Sequence, residues 1–394
     1  MVKWIFPCAL ISPILAVGVG PSESSVLNCP TSNCWCRDTF VERDIRLNSN
    51  VYYRTAFNKV LKENQTLFLD EYFASSKTDR PGALIIHGGG FSSGPYNGCS
   101  HAKNMTSFAE VAMALARRGF VAVSIDYRCE GKLRADQDYF HPWYDAVEDA
   151  RAAVRYMVAN AARLKLDTSR IMAFGGSAGA VTVAQLLHAL PDGTPMPPPA
   201  PSPPAPPSHC ETILKELCPL PFPGGYEDCL KCSREHAPHP ICKPSQRVAY
   251  CNGTMQSTKV TGGNVTCGIA LSGAIPPESI NAGQVVASEH SPPYLDFHGT
   301  KDTTVPYSNT SVPPAKLVVW GDAVDTKQWL DSHSAPNYLV PIPGAGHVPF
   351  GTIPPCDPKE KDASIGCWNT TFFGFLLRAM HLDAVPCPQY SNTK

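Results

Sequence analysis

The sequence predicts an α/β fold with a mostly parallel central sheet, helices on both faces and a small cysteine-rich insertion. Two observations lead to this prediction. From about residue 80, short apolar runs alternate with stretches of helical periodicity, as in chains where strands and helices follow one another. Later, a proline-rich segment followed by closely spaced cysteines interrupts this alternation. With 394 residues, 43% of them hydrophobic, the chain can bury one large core.

The individual elements follow from apolar runs and from helical spacing. The predicted strands are residues 83–87, 121–125, 170–174, 268–272, 294–298 and 337–342. Phe108 and Leu115 share one face of the first predicted helix, and Gly119 stands where a glycine is expected after a helix. Alanine-rich residues 144–163 predict a long helix, and residues 177–190 predict another directly after a strand.

The chain divides into five predicted parts. They are a signal peptide (1–20), an N-terminal extension with the first strands (21–79), the main α/β domain (80–190 and 267–385), a proline-rich linker (191–209) and a cysteine-rich disulfide insert (210–266). In the first part, Lys3 precedes an apolar run that ends in small residues, which is typical of a secretory signal cleaved near Gly18 to Gly20. An uncleaved anchor is the alternative, but the run is short and interrupted by Pro7 and Pro13. No later stretch is long and apolar enough to span a bilayer.

Two further features predict a secreted glycoprotein. The six N-x-S/T sequons are at Asn64, Asn104, Asn252, Asn264, Asn309 and Asn369. The 16 cysteines fit an oxidising compartment better than the cytosol. Removing Cys8 with the signal leaves an odd number, so at least one thiol is expected to be free or paired with another chain.

The insert carries six of these cysteines and is predicted to be a disulfide-stapled module. They are Cys210, Cys218, Cys229, Cys232, Cys242 and Cys251. A zinc site is the alternative, because His236 and His239 lie between Cys232 and Cys242, but export favours disulfides. Outside the insert, plausible pairs are Cys99 with Cys129 and Cys356 with Cys367. The insert is also a candidate attachment module for an unidentified partner.

The sequence Gly-Gly-Ser-Ala-Gly at 175–179 lies between a predicted strand and a predicted helix. A nucleophilic serine needs a sharp strand-to-helix turn, and only small neighbours allow the chain to make it. The following helix directs free amides toward the reacting carbonyl. This motif alone is weak evidence, but its position predicts Ser177 as a nucleophile.

A second motif, His-Gly-Gly-Gly-Phe at 87–91, follows the first predicted strand of the main domain. Amide groups of Gly89 and Gly90, together with that of Ala178, are the predicted donors to a tetrahedral oxyanion. A tight turn with a structural histidine is the alternative. The order of the two motifs along the chain favours an oxyanion loop.

The acid and the base of a catalytic triad are expected after late strands, in the order Ser, Asp, His. Asp302 follows the strand at 294–298, whereas its rival Asp296 lies inside that strand and is expected to be structural. His347 follows the strand at 337–342, within a glycine-flanked loop. Of the other histidines, His87 and His298 are expected to be structural. The predicted triad is therefore Ser177, Asp302 and His347, which requires no cofactor.

With these motifs in place, residues 80–190 and 267–350 resemble α/β-hydrolase esterases and lipases that have an HGGG loop. They are most similar to the feruloyl-esterase-like branch, through HGGGF, Asp126-Tyr127-Arg128, GGSAG, HGTKDTTVPY and PGAGH in that order. Gly176 precedes the serine where the hormone-sensitive-lipase-like branch usually has an acidic residue. The resemblance implies an α/β-hydrolase fold and hydrolysis of a small-molecule or polymer-linked ester. The proline-rich and cysteine-rich segments depart from the family pattern.

Several other functions are less compatible with the sequence. A net charge of −1 gives no general attraction to nucleic acid. A non-catalytic binding protein of this fold would usually have lost a triad residue. A serine peptidase of this fold generally lacks the HGGG loop. An amidase or formamidase with the same triad stays open, as do the acyl and alcohol specificity.

Overall fold

The computed structural model describes residues 33–58, 62–76, 78–91, 102–129, 142–189, 232, 265–281, 283–309, 321–348, 368–385 and 387. The predicted signal peptide, the proline-rich linker, almost all of the cysteine-rich insert and the alternative zinc ligands other than Cys232 lie outside these residues. So do Cys99, Cys356 and Cys367. Among the helices of the described ranges, none is long and apolar enough to cross a membrane.

The centre of the molecule is an eight-stranded sheet with the order β1-β2-β4-β3-β5-β6-β7-β8. The strands are β1 Ile45–Asn58, β2 Glu63–Ala74, β3 Arg80–Ile86, β4 Val121–Ile125, β5 Leu166–Gly176, β6 Val265–Leu271, β7 Tyr294–Gly299 and β8 Asn337–Ile342. β1 pairs antiparallel with β2, and β2 pairs antiparallel with β4. All remaining neighbours are parallel, from β4 through β8. The predicted mostly parallel sheet is therefore confirmed.

The helices follow the strands in the order expected for an α/β chain. They are α1 Thr106–Arg117, α2 Pro142–Ala159, α3 Ala161–Leu164, α4 Ala178–His188, α5 Pro277–Asn281, α6 Ala323–Ser332 and α7 Trp368–Ala379. After α1, Gly119 has φ 98°, a conformation that a glycine adopts without steric cost. The long helix predicted over 144–163 is wrong in one respect. It is broken at Asn160 (ψ 11°), and Lys165 then adopts a left-handed conformation before β5.

Side chains alternate between the two faces of the sheet, so the protein has two apolar layers. In β3, Ala83 and Ile85 pack in the layer that contains the buried aromatic residues of α1 and α7. Leu84 and Ile86 point to the opposite face, where α2, α4 and α6 pack. Both layers are needed because strands buried on two faces have no polar side to expose. This arrangement confirms the helices predicted on both faces.

A disulfide joins the N-terminal extension to the end of the chain. Cys34 is bonded to Cys387, and the neighbouring Trp35 packs edge-on against Phe120 at 5.7 Å. The Trp35 indole also donates to the carbonyl of Val385 at 3.3 Å. The segment around Cys34 and Trp35 therefore packs on the α1 and α7 side of the sheet.

The described cysteines divide into bonded and free ones. Cys36, Cys129 and Cys232 are disulfide-bonded, and within the described ranges Cys267, which is buried in β6, is free. Cys267 is therefore a candidate for the free thiol that the cysteine count predicts. Burial raises the pKa of the Cys267 thiol well above its ordinary value.

Candidate active site

Four parallel strands end at the same edge of the sheet, and each leads into one part of the candidate site. β3 leads to the glycine loop at 87–91, β5 to Ser177, β7 to Asp302 and β8 to His347. Ligands bind at the carboxyl ends of the strands in open parallel sheets, because the strand-to-helix loops emerge there. The topology therefore collects residues that are 260 positions apart in sequence, from His87 to His347, at one edge.

Ser177 occupies a strained turn between β5 and α4. Its backbone has φ 55° and ψ −120°, which a residue with a side chain rarely adopts. The turn forms because the glycines at 175 and 179 have no side chains. A Cβ on Gly175 would lie 2.3 Å from the carbonyl oxygen of Gly179, and one on Gly179 would lie 2.1 Å from that of Ile86. The structure therefore contains the sharp turn that the Gly-x-Ser-x-Gly motif predicts.

The glycine loop passes directly beside the serine. A Cβ on Gly88 would lie 2.9 Å from the carbonyl oxygen of Gly176 and 3.2 Å from Cβ of Ser177, so the close approach to Gly176 favours glycine here. Gly89 and Gly90 have φ 121° and 62°, conformations that favour glycine. Ala178 is the first residue of α4, where amides have no acceptor within the helix. These are the surroundings that a developing oxyanion beside Ser177 requires.

Tyr127 is hydrogen-bonded to the glycine loop and stacks on its first residue, His87. Its hydroxyl donates to the carbonyl of His87 at 2.9 Å. The two rings stack at 4.2 Å with 17° between their planes. Burial lowers the pKa of His87 to about 4, so this histidine is neutral. His87 is therefore a neutral packing residue at the start of the glycine loop, in agreement with its predicted structural role.

Ser177, His347 and Asp302 form a chain of hydrogen bonds. The Ser177 hydroxyl is 2.7 Å from Nε2 of His347. On the opposite side of the ring, Nδ1 of His347 is 2.8 Å from Oδ2 of Asp302. The His347 side chain keeps 24% of its surface exposed, whereas Asp302 is fully buried. The structure thus brings together the three residues that the motif order selects.

The surroundings of Asp302 keep its carboxylate ionised, so that it accepts hydrogen bonds. Its Oδ1 accepts the backbone amides of Thr304 at 2.8 Å and Val305 at 3.1 Å. Burial acts to raise the pKa of Asp302, but contacts with His298 and His347 outweigh it and hold the pKa far below its usual range. An ionised carboxylate in this position fixes the orientation of the His347 ring.

Asp296, the rival carboxylate, lies inside β7 and does not contact His347 in this arrangement. Its Oδ2 is 2.9 Å from Nδ1 of His298, and its Oδ1 accepts the amide of Gly273 at 3.1 Å. His298 in turn lies 3.4 Å from Oδ2 of Asp302. The sequence indicated structural roles for both residues but did not predict this connection to Asp302. The motif His-Gly-Thr-Lys-Asp is the only signal for it, since it places His298 four residues before Asp302.

A network of buried charges supports the loop that follows β4. Lys103 is fully buried and its ammonium lies 3.2 Å from Asp126. Arg128 contacts Asp149 through its side chain at 2.9 Å and through its backbone amide at 2.8 Å. Tyr127 lies between Asp126 and Arg128, so ion pairs on both sides fix its position. The Asp-Tyr-Arg run of the sequence therefore supports the glycine loop.

Metal chemistry has no candidate site in the described part of the chain, since no group of three His, Cys, Asp or Glu side chains is arranged to hold an ion. The groups that the structure brings together are a hydroxyl, an imidazole, a carboxylate and the backbone amides of a glycine loop. Such a constellation performs acyl transfer through a covalent intermediate.

The family comparison covers the segment that carries the glycine loop and the nucleophile. Residues 69–192 match the model of the BD-FAE family, a feruloyl-esterase-like group of α/β-hydrolases. The match runs from within β2 to just beyond α4. It confirms the resemblance and the α/β-hydrolase fold class that the sequence predicts, and it supports the assignment as a carboxylic ester hydrolase.

Similar solved structures include esterase 2 of Thermogutta terrifontis in several forms. The apo form has a TM-score of 0.47 at 18% identity and covers 90% of this chain and 100% of that chain. The form phosphorylated by paraoxon has a TM-score of 0.46 at 19% identity, with coverages of 79% and 86%. The butyrate-bound form has a TM-score of 0.44 at 18% identity, with coverages of 86% and 96%. No curated protein matches the sequence.

Proposed function

We propose that this chain is a secreted serine carboxylic ester hydrolase that works through an acyl-enzyme on Ser177. The observation that carries the proposal is the continuous hydrogen-bond chain from Ser177 through His347 to Asp302. Its place beside a glycine loop, at the carboxyl edge of a parallel sheet, supports the same conclusion.

In the proposed reaction, Nε2 of His347 accepts the Ser177 proton while the serine oxygen attacks the ester carbonyl. Nδ1–H of His347 donates to Asp302, which stabilises the imidazolium that forms. Amides of Gly89, Gly90 and Ala178 stabilise the oxyanion, and each such donor is typically worth ~10²–10³ in rate. The imidazolium then protonates the leaving alcohol. In the second half of the reaction, His347 accepts a proton from water while the water oxygen attacks the acyl-enzyme carbonyl, and the imidazolium returns the proton to Ser177 as the acid leaves.

The substrates we propose are soluble or polysaccharide-linked esters, taken up in an open cleft. In many proteins of this fold a lid follows the strand after the nucleophile, here the segment between β6 and β7. That segment contains only the short helix α5 and packs back against the scaffold. Ser279 accepts a hydrogen bond from Trp143 of α2 at 3.1 Å, and the amide of Val286 donates to His188 of α4 at 2.7 Å. Because these hydrogen bonds hold the segment against α2 and α4, we expect it to leave the entrance to Ser177 open on this side of the site.

Export through the secretory pathway is part of the proposal. The disulfide between Cys34 and Cys387 fits an oxidising compartment. The sequon asparagines Asn64, Asn104 and Asn309 are all exposed, as glycan attachment requires. Glycosidase-sensitive mass on protein recovered from culture medium would test this part.

The nucleophile is tested by replacing Ser177 with alanine. The variant should lose ester hydrolysis by about 10⁴-fold or more and should no longer be labelled by an organophosphonate, because no other group can form the acyl-enzyme. Ser169→Ala, at the opposite end of β5, is the matched control and should retain both properties. Stoichiometric labelling of the Ser177→Ala protein would show that another residue is the nucleophile. Comparing an ester with its matched amide separates esterase from amidase activity.

A further inference from the structure

A second buried histidine lies next to Asp302, in addition to His347. His298 stands near the end of β7 and is fully buried. Its Nδ1 is 2.9 Å from Oδ2 of Asp296. Its Nε2 is 2.9 Å from the carbonyl oxygen of Val305 and 3.4 Å from Oδ2 of Asp302. The two aspartates are thus joined through one imidazole ring.

The hydrogen-bond partners determine the charge of this ring. A carbonyl oxygen only accepts, and so does an ionised carboxylate. Oδ1 of Asp296 accepts the Gly273 amide, and Oδ2, as an oxygen of the same carboxylate, is an acceptor for Nδ1 of His298. Each nitrogen of His298 therefore faces an acceptor and needs its own proton, so the ring is an imidazolium.

The remaining groups around His298 are consistent with a buried cation. Burial lowers the pKa of His298, but Asp296 and Asp302 outweigh this effect and raise it to about 10. Tyr307 packs edge-on against the ring at 5.9 Å, and burial together with Asp296 raises its pKa. Tyr294, whose pKa is raised well above 10 by burial and by Asp296, also stays neutral. The charged groups of the cluster are thus two carboxylates and one imidazolium.

We propose that His298 is a positioning residue of the site, a buried imidazolium that orients the Asp302 carboxylate and offsets part of its negative charge. This inference rests on the proposed function, because it assigns His298 a role relative to the Ser177–His347–Asp302 chain. His298 does not touch the reacting atoms. It acts through Asp302, which also contacts His347, the Ser272 side chain and two backbone amides.

Removing this cation has a consequence that loss of packing alone does not have. In His298→Gln, the carboxylates of Asp296 and Asp302 remain without the positive charge between them. The surroundings of His347 become more negative, which favours its protonated, inactive form. The acid limb of the kcat/KM profile should therefore move to higher pH by about one unit.

The matched control removes both charges of the pair. In the double variant Asp296→Asn/His298→Gln, two neutral amides replace a carboxylate and an imidazolium, so the net charge near His347 is that of the wild type. Its acid limb should return to within about 0.3 pH unit of the wild-type position. A His298→Gln profile that coincides with the wild type would overturn the proposal. So would a double variant displaced as far as the single one, since shape and not charge would then be the cause.

A measurement without turnover separates this inference from the proposed function. In the Ser177→Ala protein, ¹⁵N chemical shifts of His298 should show protons on both ring nitrogens between about pH 5 and pH 9. A neutral His298 ring in that pH range would overturn the proposal. Because His298 is intact in the Ser177→Ala protein, this measurement decides the question even if the His298 variants do not fold. If wild-type protein is not labelled at Ser177, the proposed function fails, and the NMR result still decides the charge of His298.

Discussion

Tyr127 is the residue through which the buried charge network reaches the glycine loop. Ion pairs of its neighbours, Lys103 with Asp126 and Arg128 with Asp149, fix the backbone on both sides. Its hydroxyl then reaches the carbonyl of His87. The amides of the same loop are the proposed oxyanion donors, so the position of Tyr127 bears on transition-state stabilisation.

Tyr127→Phe should lower kcat by about tenfold with little change in KM, because the oxyanion forms only during the reaction. Leaving the carbonyl of His87 unpaired should also cost about 1–3 kcal/mol of stability. Tyr156→Phe is the matched control, since the Tyr156 hydroxyl donates to Oε1 of Glu71 in β2 at 2.7 Å, outside the ion pairs that fix Tyr127. The control variant should lose stability but keep the wild-type kcat. Steady-state kinetics and thermal unfolding of both variants check this, and equal kcat values for the two would contradict it.

Sequence motifs identify residues whose chemistry and local turn coincide, and they miss residues that act through distant contacts. Ser177 was predictable because its strained turn needs adjacent glycines. His347 and Asp302 were predictable from the order of strands. The link between Tyr127 and His87 spans 40 positions, and the one between His298 and Asp296 needs the geometry of β7. No local pattern specifies the contact of Tyr127, and the spacing of two positions in β7 places Asp296 and His298 on one face of the strand without specifying a hydrogen bond between them.

Among the elements, buried strands were predictable and the antiparallel edge was not. Residues of β4 are all buried, so their run of apolar side chains matches the prediction of 121–125 at both ends. β1 lies at the edge of the sheet and exposes Leu47, Tyr52 and Phe57, which do not follow the period of two expected for a strand with one buried face. Register shifts after Asn48 and Tyr52 break its period of two, so hydrophobicity does not mark it as a strand.

The disulfide between Cys34 and Cys387 fastens the N-terminal extension at the edge of the sheet opposite to the site. Trp35 packs there against Phe120, which directly precedes β4, whereas Ser177 follows the end of β5. Closing a loop with a sequence separation of 353 residues restricts the unfolded chain. The disulfide should therefore contribute to stability without affecting turnover.

Cys34→Ser/Cys387→Ser should lower the free energy of unfolding by about 2–4 kcal/mol and leave kcat within about twofold of the wild type. Asp38→Asn is the control at the same place. It removes the exposed carboxylate that contacts Arg118 at 2.7 Å and should cost about 1 kcal/mol or less. Denaturant unfolding and ester turnover would measure both. A large loss of kcat in the folded cysteine variant would contradict the separation of this region from the site.

At the scale of the whole molecule, the two described points at which the predicted insertion joins the chain lie away from the catalytic residues. Ser177 precedes α4, and the insertion begins after α4 ends at His188. An α-helix of that length spans about 16 Å. On the other side of the insertion, Val265 pairs with Ile171, near the beginning of the apolar part of β5 and not near its end at Gly176. Both attachment points are therefore at the edge of the sheet opposite to the site.

Excising residues 196–262 and joining the ends with a short flexible linker should preserve turnover of a small soluble ester within a few-fold. The reason is topological, since a helix-to-strand connection in a parallel sheet emerges away from the carboxyl ends of the strands. Replacing only 196–207 with an equal length of Gly and Ser is the control, because it keeps the cysteine-rich part and removes the stiffness of the proline spacer. It too should retain kcat. Kinetics on soluble and polymer-linked esters would show whether the insert contributes to binding of large substrates. A folded deletion protein with a strongly reduced kcat on the small ester would instead place the insert over Ser177.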